Sequence, residues 1–244
     1  MNIDFTNKTV LVVGGSSGIG NGIAQAFRAA GAELRIWGTR ASAADYADEP
    51  GSNLTGLIYD CVDAADPAAL ARGAAAFTAL DALILCQGTV QYERREFTPE
   101  GWARVVDVNL NSVMWTASAF RPLLAAARGS VVIVSSVAGF RATRGNPAYA
   151  ASKAGAVALT KTLGAAWISD GIRVNGIAPG LVDTKLTRVT TGNPKRAAGA
   201  LAAIPAGRMG TPNDMAGPAL FLCSALADYV VGQTLIVDGG MTLA

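Results

Sequence analysis

Tyr149 and Lys153 stand four residues apart in Tyr149-Ala150-Ala151-Ser152-Lys153, which puts both on one face of a helix. A free phenol titrates near ~10 and a lysine ammonium near ~10.4, and a neighbouring cation favours the phenolate. The pair therefore predicts a tyrosine whose pKa Lys153 lowers, usable as a general acid or base. Taken alone, the same spacing also describes an ordinary surface pair. The chain has no histidine, so the commonest general base and the usual zinc ligand are missing. Acid–base chemistry falls to Tyr, Lys, Cys or a carboxylate.

Hydroxyls come from Ser135-Ser136-Val137-Ala138-Gly139, directly after the apolar run Val131–Val134. A serine at the carboxyl edge of a sheet can hydrogen-bond a substrate oxygen or simply form a turn or a helix cap. Asn109, in Asp107-Val108-Asn109-Leu110, is polar within an apolar helical stretch. It reads as a satisfied buried amide that bends the helix, or as a link in a proton path.

A second site candidate is Gly14-Gly15-Ser16-Ser17-Gly18-Ile19-Gly20, lying between an apolar strand and an Ala-rich amphipathic stretch. Glycines allow positive φ and close approach to a pyrophosphate, and the free N–H groups of a helix start attract its charge. An ordinary Gly-rich turn has the same composition, and the spacing departs from G-x-G-x-x-G. The end of the second strand, Trp37-Gly38-Thr39-Arg40, carries no acid to bond the ribose hydroxyls of NAD. Arg40 and the Thr39 hydroxyl can instead receive a 2′-phosphate, which points to NADP with NAD still possible; Arg40 as a solvated surface charge is equally compatible. Asp60, beside Cys61 at the end of the third strand, can accept a bond from an adenine amino group or cap the following turn.

Positioning these residues requires a scaffold, and the apolar runs supply one. They fall at Val10–Val13, Leu34–Trp37, Leu57–Tyr59, Ala82–Cys86, Val131–Val134, Val174–Ile177 and Leu235–Val237. Because they are continuously apolar rather than alternating, both faces of the sheet should be covered by crossover helices. The expected fold is α/β, a doubly wound seven-stranded parallel sheet of Rossmann type with helices on both faces. Thr98-Pro99-Glu100 and Thr211-Pro212-Asn213-Asp214 read as helix starts. Residues 1–244 are expected to form one domain, with a helical substrate flap at about 185–210 where the pattern is weakest.

Bulk composition narrows the partners. A net charge of +2 gives no general field for nucleic acid or an anionic membrane, and no apolar stretch approaches the roughly 18 residues needed to span a bilayer. The N-terminus lacks a signal-peptide pattern. Cys61, Cys86 and Cys223 are odd in number and far apart, fitting reduced thiols in a cytoplasmic protein with neither disulfide nor metal site.

From Lys8 to about Met241 these segments together resemble the short-chain dehydrogenase/reductase family, of the 3-oxoacyl reductase-like, single-domain type. The resemblance places Gly14, Gly18 and Gly20 in the family's cofactor turn and Asp60 at its adenine-binding acid. Asn109, Ser136, Tyr149 and Lys153 fall at its catalytic tetrad, Ser136 being preferred to Ser135 because it lies thirteen residues ahead of Tyr149. Pro179-Gly180 closes on the nicotinamide, with Val182 and Thr184 reaching its carboxamide or the phosphates. Two departures stand out: Leu85-Cys86-Gln87-Gly88 replaces Asn-Asn-Ala-Gly, keeping only Gly88, and Val13 replaces a threonine.

The resemblance implies hydride exchange between a nicotinamide and a ketone or secondary alcohol, with Tyr149 moving the proton, Ser136 polarising the oxygen, Lys153 orienting the ribose and Asn109 holding water. A catalytically silent nucleotide-binding regulator is the alternative. The substrate is expected to be a small-molecule 3-oxoacyl group or a small to medium cyclic or aryl ketone, against an apolar wall of Tyr92, Phe140 and Leu186. Arg141, Arg144 and Arg188 either meet an acidic substrate or are simply solvated. A homotetramer through the long helices near Trp102–Ala127 and Ala148–Ile168 is also implied.

Overall fold

A computed structural model describes residues 3–243. Seven strands form one parallel sheet: β1 (Thr9–Val13), β2 (Glu33–Gly38), β3 (Ile58–Cys61), β4 (Ala82–Leu85), β5 (Ser130–Val134), β6 (Arg173–Pro179) and β7 (Thr234–Val237). Their spatial order is β3-β2-β1-β4-β5-β6-β7, every pair parallel. The chain winds outward from β1 in one direction and from β4 in the other. The crevice between those two strands is thus the topological switch point, where α/β sheets bind ligands.

The continuous apolar runs are explained by burial on both faces. Along β1, Leu11 and Val13 belong to one core cluster while Val10 and Val12 belong to the other, and β4 and β5 alternate likewise. The first cluster packs under α2 (Pro67–Ala74), α4 (Ser112–Ala127) and α5 (Pro147–Trp167), through Leu70, Phe120, Leu124, Leu163 and Trp167. The second packs under α1 (Gly18–Ala29) and α8 (Pro212–Cys223), through Ile23, Phe27, Met215 and Leu222. Each such large side chain contributes about 1.5–3 kcal/mol on burial.

Both helix starts read from sequence are capped. Thr98 Oγ1 accepts from the Gly101 N–H at 3.2 Å at the head of α3 (Pro99–Val106), and Thr211 forms a capping box with Asp214. Between α3 and α4, residues Asp107–Asn111 form a π-helical turn. The weakly patterned stretch is helical, with α6 (Arg188–Thr191) and α7 (Pro194–Ala202). Among the described residues no helix is long and apolar enough to cross a membrane, no cluster of three or more His, Cys, Asp or Glu is placed to hold a metal, and Cys61, Cys86 and Cys223 are free thiols.

Candidate active site

A cavity of about 620 Å³ opens at the switch point. Its floor is the turn after β1. Gly14 sits at φ +75°, in the region L side chains avoid, and a Cβ there would lie 2.9 Å from the backbone of Gln87. Gly20, in the first turn of α1, approaches the same turn still more closely: a Cβ would meet the Gly14 carbonyl oxygen at 2.2 Å. Small residues therefore bring the N-terminus of α1 against the ends of β1 and β4, aiming its dipole into the cleft. The N-cap residue Ser17 makes no side-chain cap bond of its own. Gly20→Ala must displace backbone, so stability should drop by about 2 kcal/mol in denaturant unfolding. Calorimetry should show weaker dinucleotide binding in the same variant.

Ser136 closes β5. Its Oγ accepts from the Ala138 N–H at 3.1 Å, tightening a short 3-10 turn over Val137–Gly139. The turn packs so closely on α5 that a Cβ on Gly139 would lie 2.8 Å from the Lys153 carbonyl oxygen. The cap and the candidate catalytic hydroxyl are thus the same residue: Ser136 holds its own turn, and its hydroxyl also acts to lower the pKa of Tyr149. Ser136, Tyr149 and Lys153 all line the cavity.

The Tyr149–Lys153 relation differs from the sequence expectation. Burial raises the Tyr149 pKa above the ordinary phenol value, and the nearby Ser136 hydroxyl offsets only part of that rise. The Lys153 ammonium lies 5.8 Å from the phenol ring centre and donates to the Val134 carbonyl at 2.9 Å, so it faces the end of β5. Burial also pulls the Lys153 pKa down to about 8. Helical spacing fixes which face two residues share; it does not direct their polar ends at each other.

Asn109 is 1% exposed and lies behind Gly88, outside the cavity wall. Its Oδ1 accepts from the Thr89 N–H at 2.7 Å, and its Nδ2 donates to the Thr89 carbonyl and to Ser152 Oγ. It is a satisfied amide within the π-helical turn, and it fixes the loop after β4 to α5.

One contributor, Glu96, carried no sequence signal, whereas the sequence does point to Gln87 as a support for its altered loop and to Ser135 as the second hydroxyl after β5. Glu96 sits in a run of charges that reads as solvated, yet it is 1% exposed. Its carboxylate accepts from the N–H groups of Gln91 at 3.0 Å and Tyr149 at 2.9 Å, and from Asn146 Nδ2 at 3.3 Å. Because Asn146 makes no cap bond, Glu96 takes the N-cap's place at the third residue of α5, the one bearing the phenol. Gln87 donates to Ser112 Oγ at 3.0 Å, which rebuilds support for the loop that lost its asparagines. Its Oε1 and the hydroxyl of Ser135 are buried without partners, and both residues line the cavity.

Of the nucleotide-binding residues expected from sequence, Gly14, Ser16, Ser17, Gly18, Ile19, Gly20, Thr39, Gly88, Pro179, Gly180, Val182 and Thr184 line the cavity. Asp60, Cys61 and Arg40 do not. Asp60 is held by Arg35, its register neighbour's strand-mate across β2 and β3, at 3.0 Å; Asp63, three residues on, lines the cavity in its stead. Cys61 is exposed, its thiol 3.9 Å from the Thr39 carbonyl. Arg40 stacks on Tyr46 at 4.4 Å and pairs with Glu49. Tyr92 and Leu186 line the substrate end and are joined by a 2.5 Å bond from the phenol to the Leu186 carbonyl, whereas Phe140 lies outside, 47% exposed. Arg144 and Arg188 are exposed, and Arg141 bonds the Met241 carbonyl.

The glycine floor, the helix N-terminus and the partnerless Gln87 and Ser135 atoms fit a dinucleotide. Fold and site together define a nucleotide-binding oxidoreductase of the doubly wound class. The Enoyl-(Acyl carrier protein) reductase family matches residues 13–242. A 3-oxoacyl-[acyl-carrier-protein] reductase of Chlamydia muridarum is 38% identical over 99% of this chain and 100% of its own length. A 2-dehydro-3-deoxy-D-gluconate 5-dehydrogenase of Bacillus subtilis is 38% identical over 96% of this chain and 94% of its own. Among solved structures, a putative NAD(P)-dependent gluconate 5-dehydrogenase from Beutenbergia cavernae with bound NADP superposes with TM-score 0.90, at 37% identity and full coverage of both chains. The chain belongs to the short-chain dehydrogenase/reductase family, nicotinamide-dependent oxidoreductases acting on CH–OH groups.

Proposed function

We propose that this chain interconverts a ketone and a secondary alcohol with NADP(H), Tyr149 passing the proton to or from the substrate oxygen. The observation that carries the reading is that Ser136, Tyr149 and Lys153 line the same cavity as the glycine turn. When bound, the nicotinamide supplies the hydride. Tyr149, kept protonated by burial, is an acid for the reductive direction. Ser136 holds and polarises the substrate oxygen. Lys153 takes the ribose side, and Asn109 orders the route by which its proton is replaced.

Residues 1–244 work as one domain, with about 185–210 as the substrate flap. The substrates we favour are 3-oxoacyl groups or small to medium ketones, supported by the apolar Tyr92–Leu186 wall and by the reductases among the relatives. Bound NADP in related structures supports the cofactor preference. The protein is proposed to be cytoplasmic and a homotetramer through α4 and α5. A silent regulator is not favoured, because a mere nucleotide sensor gains nothing from a hydroxyl, a phenol and an ammonium gathered in the same cavity.

The test is a matched titration with NADPH and NADH across cyclic ketones, aryl ketones, 3-oxoacyl thioesters and oxidised sugar acids. Turnover of at least one ketone class, with NADPH bound about tenfold more tightly, is expected. Tight nucleotide binding with no turnover of any class points to the regulator.

A further inference from the structure

The sequence puts no acid at the end of β2, but the fold brings one there from the following loop. Glu49 Oε2 pairs with Arg40 and, at 3.0 Å, with Lys185 of the flap, and the side chain is only 9% exposed. The same loop crosses the glycine turn: the Gly51 carbonyl accepts the Gly18 N–H at 2.9 Å, and Ser52 Oγ donates to the Ser16 carbonyl at 2.6 Å. Ser16, Ser17, Thr39 and Lys185 line this end of the cavity. One carboxylate oxygen therefore neutralises two cations beside the hydroxyls that would meet an adenosine ribose.

Building on the NADP(H) reading above, we propose that Glu49 sets how strongly the site favours a 2′-phosphate, by occupying Arg40 and Lys185 until that phosphate displaces it. A phosphate and a carboxylate compete for the same two donors, and an anion left beside the phosphate repels it. The hydrogen bond from Lys185 and then that from Arg40 hold the Glu49 carboxyl below its usual range, so the competing charge persists across neutral pH. Because Lys185 begins the flap, displacement also unties the flap from the loop over the glycine turn.

Isothermal calorimetry with adenosine 2′,5′-bisphosphate and 5′-AMP isolates the 2′-phosphate and needs no turnover. Glu49→Gln keeps the shape and removes the charge. It should tighten the bisphosphate about tenfold while 5′-AMP stays within about twofold. Lys185→Met, which leaves the glycine turn untouched, should weaken the bisphosphate several-fold and spare 5′-AMP, and it carries the test if Glu49→Gln unfolds. Equal tightening of both nucleotides would overturn the proposal, as it would make Glu49 a mere plug. Weaker 5′-AMP binding in Glu49→Gln would overturn it too, since Glu49 would then be holding ribose hydroxyls. If the native chain binds neither nucleotide, the dinucleotide reading itself falls and takes this proposal with it.

Discussion

Tyr149→Phe should lower kcat/KM by about 10³–10⁴-fold while NADPH affinity stays within about twofold. The substitution removes one hydroxyl. It keeps the ring volume and the backbone N–H that anchors the start of α5 to Glu96, so the helix carrying the residue has no reason to move. A rate loss of that size corresponds to about 4–5 kcal/mol of transition-state stabilisation. The pH profile tests the same assignment. Burial raises the Tyr149 pKa, with Ser136, Tyr92, Cys86 and Glu96 as the polar groups around it. The phenol is therefore in its acid form through neutral pH, so the reductive rate should stay flat there. The oxidative rate, which needs the base form, should climb with pH. Stopped-flow rates in both directions from pH 6 to pH 10 check this, and a variant keeping most of its activity would remove Tyr149 from the mechanism.

The sheet was legible because its inner strands β1, β4, β5 and β6 are buried on both faces, so each leaves a short run without alternation, and the half-exposed edge strands β3 and β7 still keep β-forming apolar residues. The strand edges then put the glycine turn and Ser136 at the crevice. Local chemistry was legible wherever one residue does one job, as Thr98 and Thr211 do at helix starts. What failed to show was pairing at a distance. Asp60 was assigned to adenine, but its register opposite Trp37 leaves it within reach of Arg35, and Asp63 faces the cavity. Glu96 and Glu49 look in sequence like surface acids, and only tertiary packing buries them against Tyr149 and Arg40. The expected Lys153 effect on Tyr149 failed for a related reason: helical spacing says nothing of the Val134 carbonyl that claims the ammonium.

Lys153→Met should abolish most activity and yet make the protein more stable at pH 7. The ammonium is 5% exposed as a residue, and burial takes its pKa from 10.5 to about 8. Below pH 8 both folded and unfolded chains carry the proton, and the folded state bears the full cost of a buried charge. That cost is about 3 kcal/mol, from the difference in pKa. Between pH 8 and 10.5 the unfolded chain binds more protons than the folded one, so native stability rises with pH and the cost fades. Methionine fills similar space without the charge but leaves the Val134 carbonyl without its donor, at about 1 kcal/mol or somewhat more. The net gain at pH 7 is on the order of 1–2 kcal/mol, which guanidinium unfolding resolves as a higher midpoint at unchanged slope. It should shrink to nothing, or reverse, by about pH 10 as the native lysine sheds its proton. Activity should move the other way, because the role proposed for Lys153 at the ribose needs the charge that the fold holds at a cost. A variant less stable than the native chain at pH 7 would show that the Val134 bond outweighs desolvation, and that Lys153 is held there by the fold as well as by function.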